Sequence, residues 1–361
     1  MAETLAVLVC GHGLGHFRRT LQIVRALLAR TSFARVDLFC PSWQVSAMAG
    51  WSVCSELIHH PAVKFMEWNS PLGGVSFPDP SFWARLRTWR ADLAELKLDC
   101  YDLVISDNLV EALSFAPRTV LSGSFLWHDL YQTAYPEIPG ASDYARTCRE
   151  LLHSHRPPMI ANKYFVMPAV LRETETVGVG MLPPVFAARG KAEDGRTGIL
   201  FAGGADRGAM KAVRSYLTEA STDGGFPPEV FIRLDRRVAE GMADSAFPAF
   251  NHDADDFTTV DAVVACPGMG IITDCLASGT PLFFLQGGHP ELRHNGDVLE
   301  RMGLGWKLDR LEDAVKTIGT TLGDAEGMRV FRQRIQALDR SGLDETVDFL
   351  TGRLIQTRIP S

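Results

Sequence analysis

One local unit occurs at matching places in the two halves of this 361-residue chain: an apolar strand, a glycine-rich turn, a helix. Leu5–Cys10 reads as the strand, GHGLGH follows at 11–16, and Phe17–Arg30 has the spacing of an amphipathic helix. The order recurs with a strand over Gly198–Ala202, GGADRGA at 203–209 and a helix over Met210–Ala220. A parallel strand pair cannot be joined by a tight turn, so the chain must return through a crossover, usually a helix lying on the sheet. The repeated unit therefore predicts an α/β chain with two doubly wound, Rossmann-like domains. Further apolar runs predict strands at Val36–Cys40, Val63–Met66, Leu103–Ser106 and Thr119–Ser122, then at Val230–Leu234, Val263–Ala265 and Leu282–Leu285. They are short and mostly continuous, as strands covered on both faces need to be.

The length suits two domains, each with its own core. The linker is read at Val177–Pro184, where VGVGMLPP precedes a polar stretch, Arg189–Thr197. This gives domains at 1–180 and 185–340 facing a central cleft. The segment 341–361 reads as a further helix, Glu345–Leu354, placed to cross back to the first domain. A net charge of −7 argues against a general nucleic-acid binder, which needs clustered Lys and Arg. The seven cysteines are dispersed with no CxxC, several in apolar runs, and are expected to be buried free thiols in a reducing compartment. No leader peptide is read in the N-terminal residues, and no apolar run approaches the ~20 residues of a spanning helix. The expected location is cytoplasmic.

The stretch Val263–Gly305 carries the most chemistry. It reads as a strand, a Pro-Gly-Met-Gly turn, a helix ending at Gly279, a second strand, and a polar loop leading to another helix with Asn295 near its start. Gly268 and Gly270 would let backbone approach a phosphate, with free N–H groups aimed at it. Met269 could pack on the same ligand, and Thr273 offers a hydroxyl. Asp274 is placed to accept bonds from ribose hydroxyls, and Glu291 and Asn295 to reach a polar group beyond the phosphates. The pattern predicts a site for a nucleotide carrying something polar. Gly203 and Gly204, in the second glycine turn, would add amides at a helix start.

GHGLGH at 11–16 is no dinucleotide fingerprint, since G-x-G-x-x-G needs glycine where His16 stands. His12 and His16 have no third ligand in view, so no metal is expected there. An imidazole suits proton transfer near neutral pH, which makes His16 a candidate general base beside Gly15. Asp107, in DLVISDN, ends a strand of the same sheet and can orient His16 or cap the next turn. Arg19 can bind phosphate or lie on the helix surface.

Taken together, GHGLGHFRR at 11–19, FAGGADRGA at 201–209, and PGMGIITDCLASGTP at 267–281 with HPELRHN at 289–295 resemble the GT-B glycosyltransferases. The pattern is similar to that of the MurG-like bacterial peptidoglycan N-acetylglucosaminyltransferases and of nucleotide-sugar enzymes in natural-product pathways. The resemblance implies transfer from a nucleoside-diphosphate sugar, most often UDP-linked, to a hydroxyl of a small-molecule acceptor, with inversion and with no metal or other cofactor. It implies a donor-binding second domain and an acceptor-binding first domain, with His16 as base and Asp107 as its orienter. It places Gly15, Arg19, Gly203, Gly204, Gly268, Met269, Gly270, Thr273, Asp274, Glu291 and Asn295 around the donor. Two departures stand out. Ala205 and Asp206 replace a Ser-Gln pair, and Leu292 replaces a glutamine that contacts sugar hydroxyls.

The acceptor side is less defined. Pro80–Lys97 has Phe82, Leu86, Trp89, Leu93 and Leu96 on one helical stripe, a core-packing face or, less in keeping with its sequence, a membrane-surface one. The segment 124–140 reads as an aromatic loop lining a cleft, with His128 and Asp129 as candidates for acceptor contact. Two rival readings stay open: a nucleotide-sugar hydrolase on the same fold, and a non-catalytic nucleotide-binding protein.

Overall fold

Seven parallel strands form the first sheet, in the order β3-β2-β1-β4-β5-β6-β7. They are β1 (Glu3–Leu8), β2 (Phe33–Cys40), β3 (Val63–Glu67), β4 (Leu103–Asp107), β5 (Val120–Ser122), β6 (Pro158–Asn162) and β7 (Glu175–Val179). Six parallel strands form the second, β10-β9-β8-β11-β12-β13. These are β8 (Thr197–Ala202), β9 (Val230–Asp235), β10 (Ala249–Phe250), β11 (Ala262–Ala265), β12 (Leu282–Leu285) and β13 (Trp306–Leu308). Each sheet thus contains the doubly wound order 3-2-1-4-5-6, whose direction reverses once, between β1 and β4 and between β8 and β11. The computed structural model describes residues 3–72, 80–182, 195–203, 207–222, 226–240, 242, 247–250 and 256–357.

All nine strands read from the sequence are present. Four others are not legible there. β6 opens on a proline, β7 is interrupted by Gly178 at the sheet edge, and β10 and β13 are only two and three residues long. The VGVG of the expected linker is thereby strand β7 and its exit, paired with β6 through Asn162↔Val179; Pro183 and Pro184 lie outside the described residues.

The chain divides into two compact units, Met1–Leu182 with Arg340–Ser361, and Pro183–Asp339. In the first, helix α1 (Gly13–Arg30) buries Phe17, Thr20, Leu21, Ile23, Val24 and Leu27, the face set by its three- and four-residue spacing. Full burial of one such apolar side chain stabilises by about 1.5–3 kcal/mol. The C-terminal helix Gly342–Thr357 packs Val347, Leu350 and Leu354 into the same core. Its entry is fixed by three bonds. Gly342 N–H donates to the Met181 carbonyl at 3.1 Å. Gly180 N–H donates to Glu345 Oε2 at 2.7 Å, and Asn162 Nδ2 to the Gly180 carbonyl at 3.2 Å. A Cβ on residue 342 would stand 2.3 Å from the Gly180 carbonyl oxygen, so only glycine fits. The helix Pro80–Ala94 buries Phe82, Leu86, Trp89 and Leu93, so its stripe is a core face. The second unit builds its own core from Phe201, Val213, Leu217, Ile232, Val264 and Phe283 among others.

Candidate functional site

In a doubly wound sheet, ligands gather at the carboxyl ends of the strands flanking the reversal of order. In the first sheet those strands are β1 and β4. β1 leads through the glycine turn into α1, which begins at Gly13, four residues before the expected Phe17. His16 is therefore in the first turn of a helix, and the histidines at 12 and 16 face a helix start rather than spanning a long turn. Gln44, fully buried, holds this turn by donating Nε2 to the carbonyls of Cys10 at 3.0 Å and Gly13 at 2.8 Å. Gly15 is exposed beside His16.

Asp107 is the last residue of β4 and is 1% exposed. His16 Nδ1 lies 3.0 Å from its Oδ2 and 3.1 Å from its Oδ1, and Cys10 N–H donates to Oδ2 at 3.3 Å. Arg19 Nη2 contacts Oδ1. Burial by itself would push the Asp107 carboxyl up. The charges of His16 and Arg19, with the bonds from His16 and Cys10 N–H, outweigh it and hold the group below the ordinary carboxylate range. An ionised Asp107 accepting from Nδ1 sets the tautomer and leaves the Nε2 lone pair outward. No described residue hydrogen-bonds Nε2, and the Phe125 ring meets the imidazole edge-on at 5.9 Å. Arg19, expected at a phosphate, is thus engaged with Asp107. It stands three positions after His16, the spacing of one helix face, and that was the available signal. Gln44 gave none.

The segment 124–140 is not a cleft-lining loop. Trp127–Ala134 is helical, with Phe125, Trp127, Leu130 and Tyr131 buried in the core; hydrophobic payload, rather than accessibility, explains its aromatic content. His128 is fully buried and bonded through Nε2 to Glu173 at 2.8 Å, so it presents no group to an acceptor. Asp129 is part-exposed, 4.0 Å from Arg172. Nearby Glu111 is buried; burial pushes its carboxyl up to about 7, only partly opposed by the Tyr144 hydroxyl and Arg90. A raised folded value means the folded state holds the proton more tightly. Stability is therefore complete below the ordinary value of 4.5 and falls as pH rises from there through about 7. Glu111→Gln is expected to flatten that fall and to be more stable than wild type by roughly 3 kcal/mol above it. Urea unfolding at pH 5 and 8 checks this; equal slopes with pH in both proteins would contradict it.

In the second sheet the corresponding strands are β8 and β11. Gly203 follows β8 and is buried; a Cβ there would stand 2.9 Å from Met210 Cα, so close packing on the Arg207–Thr222 helix demands glycine. Gly204, Ala205 and Asp206 lie outside the described residues. β11 leads through Cys266 and Pro267 to Gly268, the N-cap of the helix Met269–Ser278, which ends at Gly279 as read. No side chain caps this helix start. Among the described residues, a Cβ on Gly268 would have only Leu292 Cδ2 within 4 Å, at 3.9 Å. Met269, Gly270 and Thr273 are part-exposed there. The Thr273 hydroxyl already donates to the Met269 carbonyl at 2.8 Å. Asp274 is buried. Asn295, expected to reach a ligand, is fully buried and donates Nδ2 to the Pro267 carbonyl at 2.9 Å, which ties its helix, Pro290–Met302, to the turn. Glu291 stays in the first turn of that helix, 4.0 Å from His289 Nδ1. Among the described residues no cluster of His, Cys, Asp and Glu could hold a metal, and no helix is long and apolar enough to cross a membrane. All seven cysteines are free, six of them buried.

No protein-family model matches the chain, and no curated protein does. Solved structures match along its whole length. A glycotransferase of kitacinnamycin is 15% identical over 98% of this chain and 100% of its own, with a TM-score of 0.65. The fold is GT-B. The glycosyltransferase VinC, solved in complex with dTDP, gives 14%, 98%, 100% and 0.59. Arabidopsis thaliana UGT89C1, complexed with UDP-L-rhamnose, gives 14%, 97%, 99% and 0.61. At such identities the likeness is one of backbone. GT-B architecture here accounts for the two sheets and their helices, while the chemistry rests on the side chains.

Proposed function

We propose that this chain is an inverting, metal-independent glycosyltransferase that moves a sugar from a nucleoside diphosphate, most readily UDP, to a hydroxyl of a small-molecule acceptor. The observation that carries the proposal is the buried Asp107 carboxylate on His16 Nδ1, which leaves Nε2 without a described partner. That is the arrangement of a general base awaiting a proton. The acceptor O–H proton passes to Nε2. The acceptor oxygen bonds to the anomeric carbon from one face, and the carbon–oxygen bond to the diphosphate breaks on the other. Its electron pair leaves with the diphosphate, stabilised by the helix start at Met269, which no side chain caps. Asp274, Glu291 and Thr273 are the donor contacts on the second unit and Gly15 the one on the first, while Asp129 is kept as the acceptor contact. Asn295 and His128 act by holding the Pro267 turn and Glu173. The dTDP and UDP-L-rhamnose complexes of the structural neighbours support a pyrimidine diphosphate donor. Leu292 beside the turn, where relatives carry an amide, favours a donor sugar with fewer hydroxyls.

A thermal-shift panel of UDP, dTDP, GDP, ADP and NAD, with and without Mg²⁺, tests the reading. A ligand at about 100 times its Kd stabilises by about 2.7 kcal/mol. Protection by a pyrimidine diphosphate irrespective of Mg²⁺ is expected. No shift with any nucleotide would remove the donor site from the proposal, and free sugar released without acceptor would indicate hydrolysis instead.

A further inference from the structure

Among the described residues three other than glycine have a left-handed backbone: Lys97, Asn108 and Arg156. Lys97 and Arg156 are exposed and stand at helix ends. Asn108, with φ 60°, is 1% exposed and directly follows Asp107. A residue with a side chain adopts this conformation at a cost and keeps it only where its surroundings over-determine it. Asparagine is one of the few that visit it, because its short amide can bond nearby backbone. The ladder between β4 and β5 ends at the pair Asp107↔Ser122. Beyond it, Asn108 N–H donates to the Ser122 carbonyl at 3.0 Å. Its carboxamide, nitrogen turned toward the exit of β5, donates to the carbonyls of Ser122 at 2.8 Å and Phe125 at 3.2 Å. Gly123 leaves the amide its place, since a Cβ there would stand 2.3 Å from Asn108 Cγ. Gly123 N–H donates in turn to the Ile160 carbonyl of β6 at 2.9 Å. The Ser106 hydroxyl donates to the Leu109 carbonyl at 2.8 Å and fixes the chain just after Asn108.

The two chain segments joined in this way carry the two groups that flank the His16 imidazole. One is the Asp107 carboxylate at Nδ1, and the other is the Phe125 ring, edge-on at 5.9 Å. We infer that Asn108 is a positioning residue, whose buried amide holds Asp107 and Phe125 at a set separation and so aims His16 Nε2. This rests on the reading of His16 as base and deepens it. A base must meet the acceptor proton within hydrogen-bond reach, and a misplacement of about 1 Å can cost about 10²-fold in rate. Asn108 itself exchanges no proton and touches neither substrate.

Asn108→Gly keeps the left-handed backbone and removes the amide. Turnover is expected to fall by about 10–100-fold with the Kd for the nucleoside diphosphate unchanged. Proton NMR at one fixed pH reads the contact without any need for turnover. The His16 Nδ1–H resonance, assigned by its loss in His16→Gln, is expected downfield in wild type and shifted upfield or broadened in Asn108→Gly. Asn108→Asp has the same size but, when ionised, cannot donate to the Phe125 carbonyl, and it carries the same expectation should Asn108→Gly fail to fold. A merely structural Asn108 would lower the melting temperature and leave both resonance and turnover of the folded variant unmoved, which overturns the inference. A fall in turnover with an unmoved resonance, or one matched by an equal rise in nucleotide Kd, overturns it as well. A wild type that transfers no sugar overturns the proposed function alone, while the resonance still decides whether Asn108 sets the contact between His16 and Asp107.

Discussion

His16→Ala is expected to lower turnover by about 10²–10⁴-fold, the usual worth of a positioned general base, with donor affinity retained. The two effects separate because the residues differ in place. His16 stands on α1 in the first unit, whereas the proposed donor contacts, apart from Gly15, stand on the second. The loss is electronic as well as steric, because Asp107 would keep its charge against Arg19 but have no imidazole to orient. Single-turnover transfer and calorimetric titration of the nucleotide diphosphate measure the two quantities independently. Wild-type turnover in the variant would rule the base role out, and lost donor binding would place His16 in the nucleotide site.

Phe201→Ala is expected to cost about 3–5 kcal/mol, the largest stability effect anticipated for the second unit. Phe201 lies on β8, a central strand flanked by β9 and β11, and its side chain is fully buried. Its ring packs on Tyr216, 5.8 Å between centroids, and so seats the helix that follows the Gly203 turn. Removing it opens a void where sheet and helix meet, and neither can collapse far without breaking the parallel ladder. The melting temperature should fall by about 10 °C for a unit of this size. A calorimetric scan superimposable on wild type would contradict the account of this core.

The fold was largely legible because parallel strands covered on both faces need continuous apolar runs, and nine such runs stand out. β6, β7, β10 and β13 escaped because a proline start, an edge glycine or two to three residues give no period to detect. At the site, the family resemblance suggests pairing His16 with Asp107, and both stand at ends of strands expected in one sheet, although a helix-capping role for Asp107 reads equally well from sequence. The part of Asn295 could not be read from sequence. Whether its amide meets a ligand or the Pro267 carbonyl depends on how two helices and a turn pack, which residue spacing does not encode. His128 misled for a related reason. A polar residue in an aromatic segment looks exposed until a distant partner, here Glu173, takes it inside.

The pinning of Gly342 against Gly180 and Met181 has a consequence for how such a chain can change over time. The backbone leaves the first unit and re-enters it at hydrogen-bonded neighbours, so Pro183–Asp339 is inserted at a single address. Whatever occupies that address can be exchanged without recutting the seven-stranded sheet or the helix Gly342–Thr357 that closes its core. Under the proposed function, recombination at these two junctions would couple a new donor preference to an old acceptor preference in one event, with His16 and Asp107 left in place.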